Sequence, residues 1–189
     1  MNQITQFLID VLFAIPIYLL LARFFLQGFR APFTDPAYQW LLLTLNPVLK
    51  PMEQVIPRFR SWNLACLVLL YLVCVLKALA LLGAVGIAPL LGMGLVVLLS
   101  SMLGMFMFLV FIRIILSFVQ ANPNNAIVPL VYRLTEPLLA PLRRILPAMG
   151  PMDFSPMLLF LAFLLINVLL IQPLAEWVAR QVLLGAIGA

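Results

Sequence analysis

The chain has 189 residues, 66% hydrophobic and only 9% charged, with eleven Lys and Arg against six Asp and Glu for a net charge of +5. Soluble domains carry about 25% charged residues, so a water-soluble fold is excluded, and with it a soluble basic face for nucleic acid. There is no histidine, which removes His-ligated metals and haem, Ser-His-Asp triads and Cys-His pairs.

A bilayer span needs about 20 apolar residues, and the first run, residues 4–27, is long enough. It lacks a basic leading region and a small-residue cleavage site, so it is read as a retained span and not a signal peptide. Asp10 and Pro16 lie within it, and Pro16 is expected to kink the helix. Arg23 and Arg30 close the run and are expected to snorkel to the interface. Residues 31–36, APFTDP, form a turn. Residues 37–57 keep helical spacing but are broken by Pro47 and Pro51, which predicts a short amphipathic segment lying in the interface. Arg58, Arg60 and Trp62 mark that interface. A second span over 63–82 follows, with Lys77 as its one charge. Cys66 and Cys74 inside it are read as small apolar residues. Residues 83–89 are an uncharged reversal, and the third span covers 90–119 with Arg113 near its end.

After the loop QANPNN at 120–125, apolar residues recur with helical spacing from 126 to 147. Arg133, Glu136, Arg143 and Arg144 gather on the opposite face. Pro137 and Pro141 are expected to divide this stretch into two short helices with a bend. A turn at 149–153 leads to the fourth span, capped by Asp153 or Ser155 with Pro156 in its first turn. That span reaches about residue 184 and carries Asn167, Glu176, Trp177 and Arg180.

The two proline-rich stretches are copies at a constant offset of 90 residues: Pro47, Pro51 and Pro57 align with Pro137, Pro141 and Pro147. The same offset aligns Arg23 with Arg113, Leu49 with Leu139, Asn63 with Asp153 and Lys77 with Asn167. The expected fold is therefore an all-α membrane protein of four transmembrane helices in two tandem repeats, residues 1–86 and 87–189, each with a proline-bent amphipathic interfacial helix. Each unit holds an even number of spans, so the repeats run parallel. Residues 23–60 carry five Lys and Arg and residues 113–144 carry four, whereas the N-terminus and the 83–89 turn carry none. The positive-inside rule then puts both proline-rich segments in the cytoplasm and both termini outside.

The second copy, with Arg113, Pro137, Pro141, Arg143, Arg144, Pro147, Gly150, Asp153, Ser155 and Pro156, resembles the YggT family (YlmG-like) of membrane proteins in its duplicated form. The first copy departs from that pattern: Met52-Glu53-Gln54 stands in place of the arginine pair, Arg60 in place of the glycine and Asn63 in place of the aspartate. The resemblance implies a small integral protein of the bacterial inner membrane. It further implies links to osmotic or potassium homeostasis, to cell-division neighbourhoods and, in plastids, to nucleoid distribution and cytochrome complex assembly.

Candidate site residues fall into two groups. Arg133, Arg143 and Arg144 either bind lipid phosphates or an acidic cytoplasmic partner, at about 1 kcal/mol per cation near an anionic leaflet, or only set topology. Asp153 either caps the fourth span or neutralises Arg143 or Arg144. Within the membrane, an ionisable side chain is a functional hypothesis by default. Lys77 is expected to pair with Asp10, the alternative being a lone snorkelling lysine, and Asn167 is expected to hydrogen-bond between helices. Glu176 and Arg180 form an i,i+4 pair, and Gly83, Gly86, Gly92, Gly94 and Gly104 permit close helix approach. No general base and nucleophile can be paired, so no enzyme, cofactor or metal is expected. The first functional reading is a non-enzymatic scaffold or assembly factor, with membrane lipids and a membrane or cytoplasmic protein as partners. The alternative is a transport-related role in ion or osmotic homeostasis, which would require a homo-oligomer or a seam lined by Asp10, Lys77 and Asn167.

Overall fold

A computed structural model describes residues 2–29, 36–56, 62–83, 85–119, 127–145 and 155–187. Seven α-helices and a π-helical turn follow one another, with no β-strand among the described residues: α1 (Gln3–Gly28), α2 (Pro36–Val55), α3 (Leu64–Leu82), α4 (Ile87–Val119), α5 (Ile127–Ile145), α6 (Ser155–Ile166), the π turn Asn167–Ile171 and α7 (Gln172–Ile187). Four helices are long and apolar enough to cross a membrane: Gln3–Gly28, Leu64–Leu82, Ile87–Phe118 and the composite Ser155–Leu184.

The spans form a row. Helix α1 packs on α3, α3 on α4, and α4 on the composite helix. Neighbours in the row are antiparallel. Cys66 Sγ of α3 donates to the Leu20 carbonyl of α1 at 3.6 Å, and Tyr71 Oη of α3 donates to the Leu91 carbonyl of α4 at 2.9 Å. The α3–α4 reversal turns on Gly83, at φ +73°, a left-handed conformation that a side chain would strain. Helix α4 begins at Ile87, three residues ahead of the expected start. Pro89 fits there because first-turn N–H groups have no partner within the helix.

Two of the five glycines expected at helix contacts are close approaches. A Cβ on Gly94 would lie 2.4 Å from Val75 Cγ2 and 3.1 Å from Val75 Cα of α3, and one on Gly92 would lie 3.3 Å from Val178 of α7. Gly104 has only ordinary contact with Tyr18, Gly86, just ahead of α4, has only ordinary contact with Pro89, and Gly83 has open space. Gly28, which no expectation singled out, is the tightest: its Cβ would sit 2.3 Å from the Trp62 ring. That ring belongs to an aromatic seam in which Phe24 lies 4.9 Å from Trp62, Phe25 4.7 Å from Phe106 and Phe106 6.2 Å from Phe163. The seam joins α1, α4 and α6 through ring-on-ring packing.

Helices α2 and α5 are each continuous through both prolines, so the expected division of 126–147 into two short helices is not found. The prolines in each helix are four apart, and Pro47, Pro51, Pro137 and Pro141 all face outward. The carbonyls they leave without an intrahelical donor belong to Leu43, Pro47, Arg133 and Pro137, on that same outer side. There water or headgroups can satisfy them. The inner faces bury Tyr38, Leu41 and Leu49 in α2 and Val128, Val131, Leu134 and Leu139 in α5. Leu49 and Leu139, 90 residues apart, are both fully buried.

Candidate functional site

Every buried polar side chain among the described residues lies toward one end of the bundle: Arg23, Asn63, Arg113, Thr135 and Ser155. Arg23 sits five residues before the end of α1 and Arg113 six before the end of α4. Neither snorkels, as they are 2% and 3% exposed. Helices α2 and α5 fold back across these span ends and meet the guanidinium groups with side-chain oxygens.

In the first repeat Arg23 Nη2 donates to Asn46 Oδ1 at 2.9 Å and to Glu53 Oε1 at 3.3 Å. Glu53 Oε1 also accepts from Asn63 Nδ2 at 2.6 Å. Asn63 Nδ2 reaches Gln27 Oε1 at 3.3 Å, and Asn63 Oδ1 accepts from the Cys66 N–H at 3.2 Å, so Asn63 also caps α3. In the second repeat Arg113 Nη1 donates to Thr135 Oγ1 at 2.5 Å and Nη2 to Glu136 Oε2 at 2.6 Å. The guanidinium carbon lies 4.4 Å from the centroid of the Tyr132 ring, a cation–π placement that suits a partly desolvated arginine. Glu136 Oε1 accepts from Arg143 Nη1 at 2.7 Å. One partner of Arg143 is thus Glu136; the expected partner Asp153 lies outside the described residues, as do Arg30, Arg58, Arg60, Pro147 and Gly150.

The outer side of α5 is cationic. Arg133 and Arg144 are exposed, and their eleven-residue spacing is about three helical turns, which sets them on one face. That face is opposite Val131, Thr135 and Leu139. Position for position, α2 carries Leu43 and Gln54 there.

At the other end of the bundle Lys77 Nζ lies 2.8 Å from Asp10 Oδ1, with side chains 17% and 55% exposed. A double-mutant cycle with Asp10→Asn and Lys77→Met in detergent micelles is expected to give a coupling of about 0.5–1 kcal/mol, discounted for the exposed carboxylate. Additive single effects would mean that the pair contributes nothing. Thirteen residues, or about 20 Å of helix, separate Asp10 from Arg23 on α1.

Taken together, the geometry is two buried arginine stations under two proline-containing helices, α2 and α5, repeated at one offset. The CCB3/YggT family profile matches residues 2–84 and again residues 92–174, both limits displaced by the same 90 residues. The chain belongs to the CCB3/YggT family. Its similarity to individual members runs nearly end to end. It is 36% identical to an uncharacterized Pseudomonas aeruginosa protein over 181 residues, 93% of this chain and 92% of the relative. It is 35% identical to an uncharacterized Vibrio alginolyticus protein encoded in the proC 3' region, over 90% of this chain and 94% of the relative. It is 32% identical to the uncharacterized protein YggT of Escherichia coli K12, over 88% of each. No solved structure matches.

Several expectations for this CCB3/YggT chain change with the geometry. Asn167, half-buried, opens the π turn and makes no side-chain hydrogen bond among the described residues, so the expected interhelical bond is not found. Glu176 and Arg180 are both exposed and unpaired; holding two long side chains in one geometry costs about what an exposed pair gains. No cluster of three or more metal-ligating side chains occurs among the described residues. The stations' own members Asn46 and Thr135 escaped the sequence pattern, and Glu136 stood in it only as part of the polar face of 126–147. The signal that could have found them is the pair of polar residues 46 and 136 lying at the same offset as the two arginines.

Proposed function

We propose that the protein is a non-enzymatic scaffold or assembly factor of the bacterial inner membrane, acting through the outer face of α5. The proline-rich helices lie on the cytoplasmic side and both termini outside, the arrangement that the distribution of Lys and Arg favours. The observation that carries the reading is the split of α5 into a buried apolar face and an outer face bearing Arg133 and Arg144. Arg133 and Arg144 stand on that outer face and are read as the contacts to an acidic surface, and Arg143, which donates to Glu136, as a holding group. A transport reading has less support. About 20 Å of apolar helix separates the arginine stations from the Lys77–Asp10 pair, and Lys77 and Asp10 are bound to each other.

The test is in-membrane photocrosslinking from position 144, followed by mass spectrometry. Recovery of a protein bearing an acidic surface supports the scaffold. Recovery of anionic lipid alone reduces α5 to a lipid anchor. Recovery of no protein, together with ion flux in proteoliposomes, would move the function to transport.

A further inference from the structure

Residue by residue, the first repeat looks like a decayed copy of the second: Asn46 for Glu136, Glu53 for Arg143 and Asn63 for Asp153. In space the first two differences compensate. Each station has one arginine at the same place, Arg23 or Arg113, almost fully buried. Each has one carboxylate on the interfacial helix that accepts from this arginine and also from a second side chain. In the first repeat that carboxylate is Glu53, and the second donor is Asn63 at 2.6 Å. In the second it is Glu136, and the second donor is Arg143 at 2.7 Å. Positions 46 and 53, like 136 and 143, are seven apart, about two turns along one face of the helix. The carboxylate therefore stands on opposite rungs of the same two-turn ladder in the two repeats. The other rung carries a group that tolerates this choice: Asn46, whose Oδ1 shares Arg23, or Arg143, which takes the free oxygen of Glu136.

We propose that the two repeats hold one polar lock in two charge-permuted forms. The carboxylate may sit on either rung, provided the residue on the other rung changes with it. A change at one rung alone either takes the helix's own carboxylate away from a buried arginine or crowds two of them, and an uncompensated charge in a desolvated site is strongly unfavourable. Glu53 and Asn63 are accordingly working members of the first repeat. Helix α5 thereby carries two separate tasks. The lock persists in the first repeat, where Leu43 and Gln54 replace the outward arginines, so Arg143 and Glu136 belong to the lock and Arg133 and Arg144 do not. It stands independently of the scaffold reading.

The test transplants the second form into the first repeat of the full-length protein in detergent micelles. Glu53→Arg alone is expected to raise the unfolding equilibrium constant on the order of a thousandfold or more. Adding Asn46→Glu and Asn63→Asp supplies the carboxylate on the other rung, keeps an acceptor for the Cys66 N–H, and is expected to return the constant to within about tenfold of the parent. If E53R does not fold, Glu53→Gln reads the charge alone, keeping the shape and an acceptor for Asn63, and is expected to raise the constant roughly tenfold. A triple variant no more stable than E53R, or an E53Q variant indistinguishable from the parent, would overturn the lock.

Discussion

Replacing Glu53 by alanine is expected to lower stability by about 3–5 kcal/mol, because it strips a buried arginine of its carboxylate. The Arg23 side chain is 3% exposed and that of Glu53 14%, so water can offer little compensation. Asn63, fully buried, loses its 2.6 Å acceptor in the same step. A reversible unfolding titration in mixed micelles measures the loss. The double replacement Arg23→Met with Glu53→Leu removes both charges and is expected to recover most of it, since apolar residues of similar volume often match a buried pair. A loss below about 1 kcal/mol in E53A would mean that the station is no more than a surface ion pair.

The second large effect is expected at Phe106, 4% exposed, where α1, α4 and α6 meet. Its ring centroid lies 4.7 Å from that of Phe25 and 6.2 Å from that of Phe163. Phe106→Ala is expected to cost about 3–5 kcal/mol. Lipid tails are as apolar as the ring, so the loss is mainly of packing contacts and not of burial from water. Phe108, two residues on and 62% exposed, is the control. Phe108→Ala is expected to change stability by about 0.5 kcal/mol or less. Equal effects at the two positions would show that the aromatic seam does not hold the repeats together.

The architecture was readable because its causes are local. Long apolar runs mark the spans, and Pro47, Pro51, Pro137 and Pro141 at matching places mark the repeat. What could not be read depends on what folds over what. Arg23 and Arg113 lie near span ends, where a lone arginine would snorkel. They are buried instead because α2 and α5 close over them. Glu53 and Asn63 looked like departures from a motif, since a residue-by-residue comparison cannot show that a carboxylate has moved two turns along the same helix face. The prolines of α5 suggested a break. Their spacing of four places the missing hydrogen bonds on the outer side, and the inner face stays packed. The cationic face was partly legible: Arg133, Arg143 and Arg144 stood out as a group, but not the 2.7 Å bond from Arg143 to Glu136 that ties one of them to the Arg113 station.

The most direct measurement is partner recovery by photocrosslinking from Ala140, which lies between Arg133 and Arg144 on α5. Arg133→Gln with Arg144→Gln is expected to reduce recovery roughly thirtyfold at equal protein level, from about 1 kcal/mol per outward cation. Arg143→Gln is expected to leave recovery unchanged while lowering stability. Recovery that falls with Arg143 and survives the loss of Arg133 and Arg144 would contradict the account.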